Sequence, residues 1–337
     1  MKALVIKKPG EAVVESMAEP VASEDTLLLR VRMVGLCGSD LNSFRGNNPL
    51  VTFPRIPGHE VAATIVDGSK YNPALAAGTA VTLSPYTSCG KCASCLRERP
   101  NACQFNETLG VQRDGALTEY ITMPAEKLYP AKLTIKELCL VEPLTVGFHA
   151  VARGRVTAQD TVAVLGCGGV GLGSIASSHF CGAKTIAVDV DDAKLSLARK
   201  VGAGHTINTS KEPLRRSLLD LTDGLGPDVI IEAIGQPQTF RAAVEEVAFT
   251  GRVVYIGYAK ELVAYETRLF VQKELDIMGS RNALPQDFRQ VIRMLEERRF
   301  PVDDAVTSVL PILETPDILR AWSDNPARFT KIMIHLD

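Results

Sequence analysis

Residues Thr161–Asp189 read TVAVLGCGGVGLGSIASSHFCGAKTIAVD. An apolar run leads into Gly166-Cys167-Gly168-Gly169-Val170-Gly171, apolar residues then recur at helical spacing, and a second apolar run closes on Asp189. That order predicts strand, tight glycine turn, helix, strand and acid. Each residue type has a reason in a dinucleotide site. Gly166 permits the sharp turn, Gly168 lets the backbone approach a pyrophosphate, and Gly171 lets the helix pack on the strand. Gly169 and Val170 open the helix, whose N-terminus offers unpaired N–H groups and partial positive charge to phosphate. Asp189, 18 residues past Gly171, stands where a carboxylate accepts hydrogen bonds from the adenosine ribose and repels a 2′-phosphate, so NAD is expected in preference to NADP. A glycine-rich turn without function is the bland alternative, and the arrival of strand, turn, helix and acid in register argues against it. Although Thr161–Ala183 carries no Asp, Glu, Lys or Arg, its six glycines and strand-sized apolar runs argue against a membrane span.

With 337 residues the chain is too long for one ordinary core, and two domains are expected. A hydrophobic content of 46% and a charged content of 23% are those of a soluble globular protein. The net charge of −2 gives no reason to expect nucleic acid or an anionic membrane as partner. MKALVIKKPG at the start lacks the apolar region and cleavage site of a signal peptide, so a cytoplasmic location is expected. Eight cysteines do not make a disulfide scaffold in such a chain.

From Met1 to about Lys127 the pattern is of short strands punctuated by Gly and Pro: KALVIK, LLLRVRMV, VAATIV, GTAVTLS and TEYITM. A β-rich domain, barrel or sandwich, is expected there. Within it, Cys37 in GLCGSD and His59 in PGHE offer a thiolate and an imidazole on turns, and Glu142 in VEPL is a third candidate donor. Taken singly, each is as well read as a buried cysteine, a core histidine or a solvated acid. Cys89, Cys92 and Cys95, with Cys103 after seven more residues, are a stronger signal. Four thiolates with two-residue spacers wrap a tetrahedral ion, and an all-cysteine zinc site is structural because no position is left for substrate. An iron–sulfur cluster or a redox pair is the alternative.

After Glu142 strands alternate with helices. TVAVL, TIAVD, TIN, DVIIEA, RVVYIG and LDIMGS are separated by helical stretches, which predicts a doubly wound parallel sheet. The helical stretch QDFRQVIRMLEERRF and the apolar runs AVTSVLPI and FTKIMIHLD follow, the last two as strands returning to the first domain.

Together these motifs resemble the zinc-dependent medium-chain dehydrogenases, and the likeness covers the whole chain. GLCGSD at 35–40, PGHE at 57–60, the four-cysteine loop, DGALTEY at 114–120, EPLTVGFHA at 142–150, GCGGVG at 166–171 and GSRNA at 279–283 occur in the family's order. EPLTVGFHA is similar to the sorbitol and threonine dehydrogenases, and GSRNALPQDF to sugar-acid dehydrogenases of the L-galactonate type.

The resemblance implies an α/β protein with a GroES-like β-rich catalytic domain at 1–145 and 286–337, and a Rossmann doubly wound NAD-binding domain at 146–285. It further implies catalytic zinc on Cys37 and His59, with Glu60 or Glu142 as a further donor, and structural zinc on Cys89, Cys92, Cys95 and Cys103. Asp40 would orient His59, Ser39 would take the substrate proton, and Arg281 would face the substrate. Where the family commonly has a relay histidine, this chain has Asn42; Asn does not titrate, so the relay must run through ribose hydroxyls, water or another group. Arg45, Arg55 and Arg113 also lie near active-site motifs. The activity implied is hydride transfer from a secondary hydroxyl of a sugar acid or polyol to NAD, in a homodimer or homotetramer. Threonine or 2,3-diol oxidation is a second reading, and a non-catalytic NAD-binding protein a third.

Overall fold

A computed structural model describes residues 1–68 and 72–336. Residues 69–71 and 337, the last of these being the final position of FTKIMIHLD, lie outside the described residues. The chain divides into two compact units, Met1–Glu142 with Leu284–Glu297 and Val302–Asp337, and Pro143–Ala283 with Arg298–Pro301.

The first unit opens with β1 (Lys2–Lys8) antiparallel to β2 (Glu11–Ser16). Next comes β3 (Thr26–Leu36), the hub of a larger sheet. It pairs antiparallel with β4 (Glu60–Ile65) and with β6 (Tyr120–Pro124), while β5 (Ala80–Leu83) joins β4 to β7 (Leu128–Pro130). The alternation in LLLRVRMV is realised: Leu29, Val31 and Met33 are buried and Arg30 is exposed. Between β3 and β4, GSDLNSF winds into α1 (Gly38–Phe44), where the sequence reading has only a turn. Asp40 is the cause, because its carboxylate accepts the Cys37 N–H at 2.8 Å and caps the helix. In the four-cysteine segment lies the short α2 (Ala93–Leu96). From α3 (Ile135–Arg153) the chain passes into the second unit. Pro143 inside this helix reads locally as a break, and for that reason sequence periodicity does not announce α3.

In the second unit β8 (Thr161–Leu165), β9 (Lys184–Asp189), β10 (His205–Asn208), β11 (Val229–Glu232), β12 (Arg252–Tyr255) and β13 (Asp276–Gly279) form a parallel sheet of order β10-β9-β8-β11-β12-β13. The connecting helices are α4 (Gly169–Phe180), α5 (Asp192–Val201), α6 (Leu214–Asp220), α7 (Pro237–Glu246) and α8 (Arg268–Gln272). This is the expected doubly wound sheet. Strand order reverses between β8 and β11, the place where open sheets of this kind hold ligands. The core is the apolar register of these strands: Ala163, Leu165, Ile186, Ile207, Ile230 and Val253 are at most 1% exposed, each large side chain contributing about 1.5–3 kcal/mol. Residues 261–267 form neither strand nor helix, in keeping with the expected loop, though Leu262, Val263 and Ala264 make it less polar than expected.

The chain then returns to the first unit through α9 (Pro285–Glu296), α10 (Val302–Ala305), β14 (Ser308–Pro311), α11 (Thr315–Asp324) and β15 (Ile332–His335). β15 pairs antiparallel with β3 and parallel with β14. The two C-terminal apolar runs do rejoin the first sheet.

Candidate active site

Cys37 is the link from β3 to α1, His59 ends the turn before β4 and Glu60 begins that strand. Because β3 and β4 are antiparallel with Gly35 opposite Glu60, the two motifs meet despite their separation. Donor atoms of Cys37, His59 and Glu60 all lie within 4.8 Å of one another. Gly35 makes the space, for a Cβ there would fall 2.0 Å from Glu60 Oε2. The His59 turn is held in the same manner: a Cβ on Gly115 would lie 2.4 Å from Pro57 O, and one on Gly110 2.6 Å from Gly58 N. Asp114 accepts the Ile56 N–H at 3.1 Å. DGALTEY is thus the brace for PGHE.

Asp40 does something other than orient the imidazole directly. Its Oδ2 accepts from Cys37 N at 2.8 Å and its Oδ1 from Gly58 N at 3.1 Å, while His59 Nδ1 stands 3.9 Å away, beyond a hydrogen bond. It therefore fixes the backbone at Cys37 and immediately before His59. His59 Nδ1 and Ser39 Oγ are buried without hydrogen-bond partners, atoms whose satisfaction calls for a ligand. Burial pushes Asp40 above the usual carboxylate range, against the pull of His59. Glu142 is raised chiefly by burial too, again with His59 pulling the other way. Burial opposes the imidazolium, yet Asp40, Cys37 and Glu142 carry the His59 pKa well above its ordinary value. So many acidic donors around one point fit a cation.

Glu142, on α3, does not join the three-donor group among the described residues. It accepts a short hydrogen bond from the buried Tyr86 hydroxyl. Glu60 is also held: Lys331 Nζ donates to its two oxygens at 2.7 and 2.6 Å. Burial works against the Lys331 ammonium, but Glu60 together with Cys37 and Cys139 outweighs it and raises its pKa. The sequence reading misses both Tyr86 and Lys331. For Lys331 a signal existed, a lone lysine entering the apolar run IMIH, where a buried position requires a partner.

Cys89, Cys92, Cys95 and Cys103 form the second cluster, also with sulfurs within 4.8 Å. Tetrahedral zinc–thiolate bonds of about 2.3 Å place sulfurs about 3.8 Å apart. Here Cys92 Sγ lies 3.5 Å from that of Cys95 and 3.8 Å from that of Cys103, far beyond a disulfide bond. Backbone N–H groups already point at the sulfurs, Cys92 N to Cys89 Sγ and Phe105 N to Cys103 Sγ, both at 3.3 Å. Hydrogen bonding from Ser94 pulls the Cys92 thiol down to about 5, while burial pushes Cys95 up to about 11. The donor set fits structural zinc.

In the second unit the glycine turn has its expected form. Gly166 adopts φ +98°, which favours glycine. A Cβ on Gly171 would fall 1.9 Å from Gly166 O, so this residue is needed for the helix to close on the strand. Gly168 and Gly169 are different, since a Cβ on either meets nothing within 4 Å and Gly168 has an ordinary φ of −73°. The fold does not require glycine there, and in a G-x-G-x-x-G turn the second glycine is the one that lets the backbone approach a pyrophosphate. Val170 is half-buried in the first turn of α4. Asp189 is buried at the end of β9, accepting from Cys167 N and Val190 N at 2.8 Å and from Asp191 N at 3.2 Å. A carboxylate has about four acceptor positions, so capacity for a ribose hydroxyl remains.

Arg281 is half-buried just beyond β13. Arg45, Arg55 and Arg113 are engaged in structure. Arg45 Nε bonds Ser323 Oγ at 3.0 Å, Arg55 pairs with Asp114 at 3.1 Å and Arg113 donates to Pro85 O at 3.2 Å. No helix among the described residues is long and apolar enough to cross a membrane.

Comparison with known proteins agrees with this geometry. Residues 23–133 match the family described as alcohol dehydrogenase GroES-like domain, and 169–297 that described as zinc-binding dehydrogenase. An uncharacterized zinc-type alcohol dehydrogenase-like protein of Haemophilus influenzae is 32% identical, covering 98% of each chain. The L-galactonate-5-dehydrogenase of Escherichia coli K12 is 30% identical over 92% of each chain. Among solved structures, the E. coli CFT073 alcohol dehydrogenase RspB, complexed with NADH, superposes with a TM-score of 0.91 at 28% identity, covering 100% of this chain and 99% of that one.

Proposed function

The chain belongs to the zinc-binding dehydrogenases with a GroES-like domain, and from that premise we propose that it oxidises a secondary hydroxyl of a sugar acid of the L-galactonate kind, or of a polyol, with NAD as acceptor. It is an NAD-dependent, zinc-containing alcohol or polyol dehydrogenase. The catalytic domain is assigned to residues 1–145 and 286–337 and the NAD domain to 146–285. The observation that carries the reading is the three-donor cluster of Cys37, His59 and Glu60, adjacent in sequence to the buried, unpaired Ser39 hydroxyl.

When bound, zinc supplies Lewis acidity toward the substrate hydroxyl and NAD supplies the hydride acceptor. Cys37 and His59 hold the ion, with Glu60 or Glu142 as the further donor. Ser39 Oγ would accept the substrate's proton while giving its own hydroxyl proton to a ribose hydroxyl, water or another group, since Asn42 does not titrate. Asp40 keeps the Cys37 and Gly58 backbones in place, Lys331 holds Glu60 and Tyr86 holds Glu142. The N–H groups opening α4, reached across Gly168 and Gly169, take the pyrophosphate, and Asp189 takes the adenosine ribose. Arg281 is the residue we infer to face the substrate. The similarity to an L-galactonate-5-dehydrogenase supports the sugar-acid choice. The exposed β13, at the edge of its sheet, supports a homodimer or homotetramer, for which sedimentation of the holoenzyme is the check and a monomer the contrary result.

NAD reduction by zinc-loaded protein, measured on aldonates including L-galactonate, their neutral polyols, threonine and 2,3-butanediol, tests the substrate. An aldonate is expected to exceed its polyol by about tenfold or more in kcat/KM, about 1.4 kcal/mol of transition-state binding. Equal rates on the neutral polyols would sink the sugar-acid choice, and turnover of threonine or butanediol alone would favour the second reading. No turnover on any of them would point to the non-catalytic reading.

A further inference from the structure

Glu232 closes β11 with 0% exposure at the carboxyl end of the parallel sheet. It lies opposite Leu165 of β8 on one side and Tyr255 of β12 on the other. The reversal of strand order falls between β8 and β11, so this acid sits under the ligand crevice of the fold. A buried carboxylate is costly unless hydrogen-bonded, and Glu232 is bonded through one oxygen. Oε1 accepts from Ile234 N at 2.9 Å, Gly235 N at 2.7 Å and Thr239 Oγ1 at 2.7 Å. Oε2 is buried with no hydrogen-bond partner and faces the end of β12, where a Cβ on Gly257 would lie 2.6 Å away.

Two of the donors, Ile234 and Gly235, belong to the link from β11 into α7, and the third, Thr239, lies in the first turn of α7. That link rests on the glycine turn: a Cβ on Gly166 would meet Ile234 Cγ1 at 2.6 Å and Ala233 O at 3.3 Å. It rests equally on the segment after β12, since a Cβ on Gly235 would be 2.9 Å from Tyr258 O. Segments following β8, β11 and β12 thus meet above one buried carboxylate.

We propose that Glu232 is a positioning residue for the cofactor, fixing the 233–236 link in its seat against Gly166 so that the rest of the Gly166–Gly171 turn stays open to a dinucleotide. The proposal rests on the NAD reading. It concerns the neighbouring loop, not the turn or Asp189. Without the acid, the partly buried N–H groups of Ile234 and Gly235 lose the acceptor that anchors the link, and Ile234, already against Gly166, is the side chain that shifts on the turn.

Calorimetric NAD binding, thermal unfolding and steady-state kinetics on the holoenzyme test this with Glu232→Gln, Glu232→Ala and Thr239→Val. In Glu232→Gln the amide oxygen accepts from the same three donors, and affinity is expected to stay within about twofold of the parent. Glu232→Ala should raise the NAD Kd and KM by about tenfold or more, about 1.4 kcal/mol, with kcat at saturating NAD and the substrate KM held within about threefold. Thr239→Val removes one donor without touching the acid; it should give an intermediate loss of NAD affinity, and it decides the matter if Glu232→Ala does not fold. Variants binding NAD like the parent would overturn the proposal, as would Glu232→Gln failing as fully as Glu232→Ala, or kcat falling together with stability. Failure of the parent to bind NAD would instead overturn the cofactor reading, and it would be seen before any substitution is made.

Discussion

Lys331, entering the last strand, donates to both carboxylate oxygens of Glu60, at 2.7 and 2.6 Å and 271 residues away in sequence. Both side chains are buried, at 7% and 1% exposure. Breaking such a pair strands a charge, whereas removing both members removes the need for either. Lys331→Met alone should therefore destabilise the protein by about 3–5 kcal/mol, and the double variant with Glu60→Gln by clearly less than the sum of the singles. Additive losses in denaturant unfolding would mean that the two side chains are not energetically coupled.

The same pair bears on which glutamate serves the metal. Each acid is oriented by its own donor, Glu60 by Lys331 and Glu142 by Tyr86, and as they stand Glu60 lies with Cys37 and His59 while Glu142 does not. Metal analysis should find about two zinc ions per chain, falling to about one in Cys92→Ser, whose remaining ion sits at Cys37 and His59. Two ions retained in Cys92→Ser would remove the four-cysteine loop from the metal count.

Local chemistry made most of the site legible. The glycine turn, the four-cysteine loop and the Cys37 and His59 motifs are short, and each carries its reason within a few residues. The parallel sheet was legible because its strands alternate with helices in simple order. Contacts across long stretches of chain were not: nothing near Glu60 announces Lys331, nothing near Glu142 announces Tyr86, and Gly35 is explained only when β3 and β4 pair. Asp40 shows a subtler limit. Its position beside the metal motif was readable, but its use of both oxygens on backbone N–H groups depends on how α1 packs against the Gly58 turn.

Gly168 and Gly171 separate a glycine kept for a ligand from one kept for the fold. With nothing within 4 Å of its missing Cβ and an ordinary φ, Gly168 should accept alanine without loss of stability. NAD affinity in Gly168→Ala should nonetheless drop by about tenfold or more. Gly171→Ala drives a methyl into Gly166 O and should cost about 1–3 kcal/mol of stability as well as binding. Paired thermal and calorimetric measurements check both, and a Gly168→Ala protein that binds NAD normally would show that the dinucleotide does not cross this residue.

Asp160, in the second unit, gives a pH dependence of its own. It accepts from Thr157 N at 2.6 Å and Thr157 Oγ1 at 3.0 Å, and makes a short bond to Arg252, whose other amino group donates to Gly154 O at 2.8 Å. Burial alone would raise its pKa, but the Thr157 N–H and Arg252 outweigh burial and hold it below the ordinary carboxylate range. With the folded pKa depressed, the stabilisation is fully present above the unfolded value of about 3.9 and is lost as the pH falls through the folded one. Asp160→Asn should lower stability by about 1–2 kcal/mol near neutrality. The gap between variant and parent should then narrow as the pH drops from about 5 toward 2, because the parent loses what the variant never had. Urea unfolding of both proteins across that range is the measurement, and a gap that stays constant would show that the Asp160 charge contributes nothing to it.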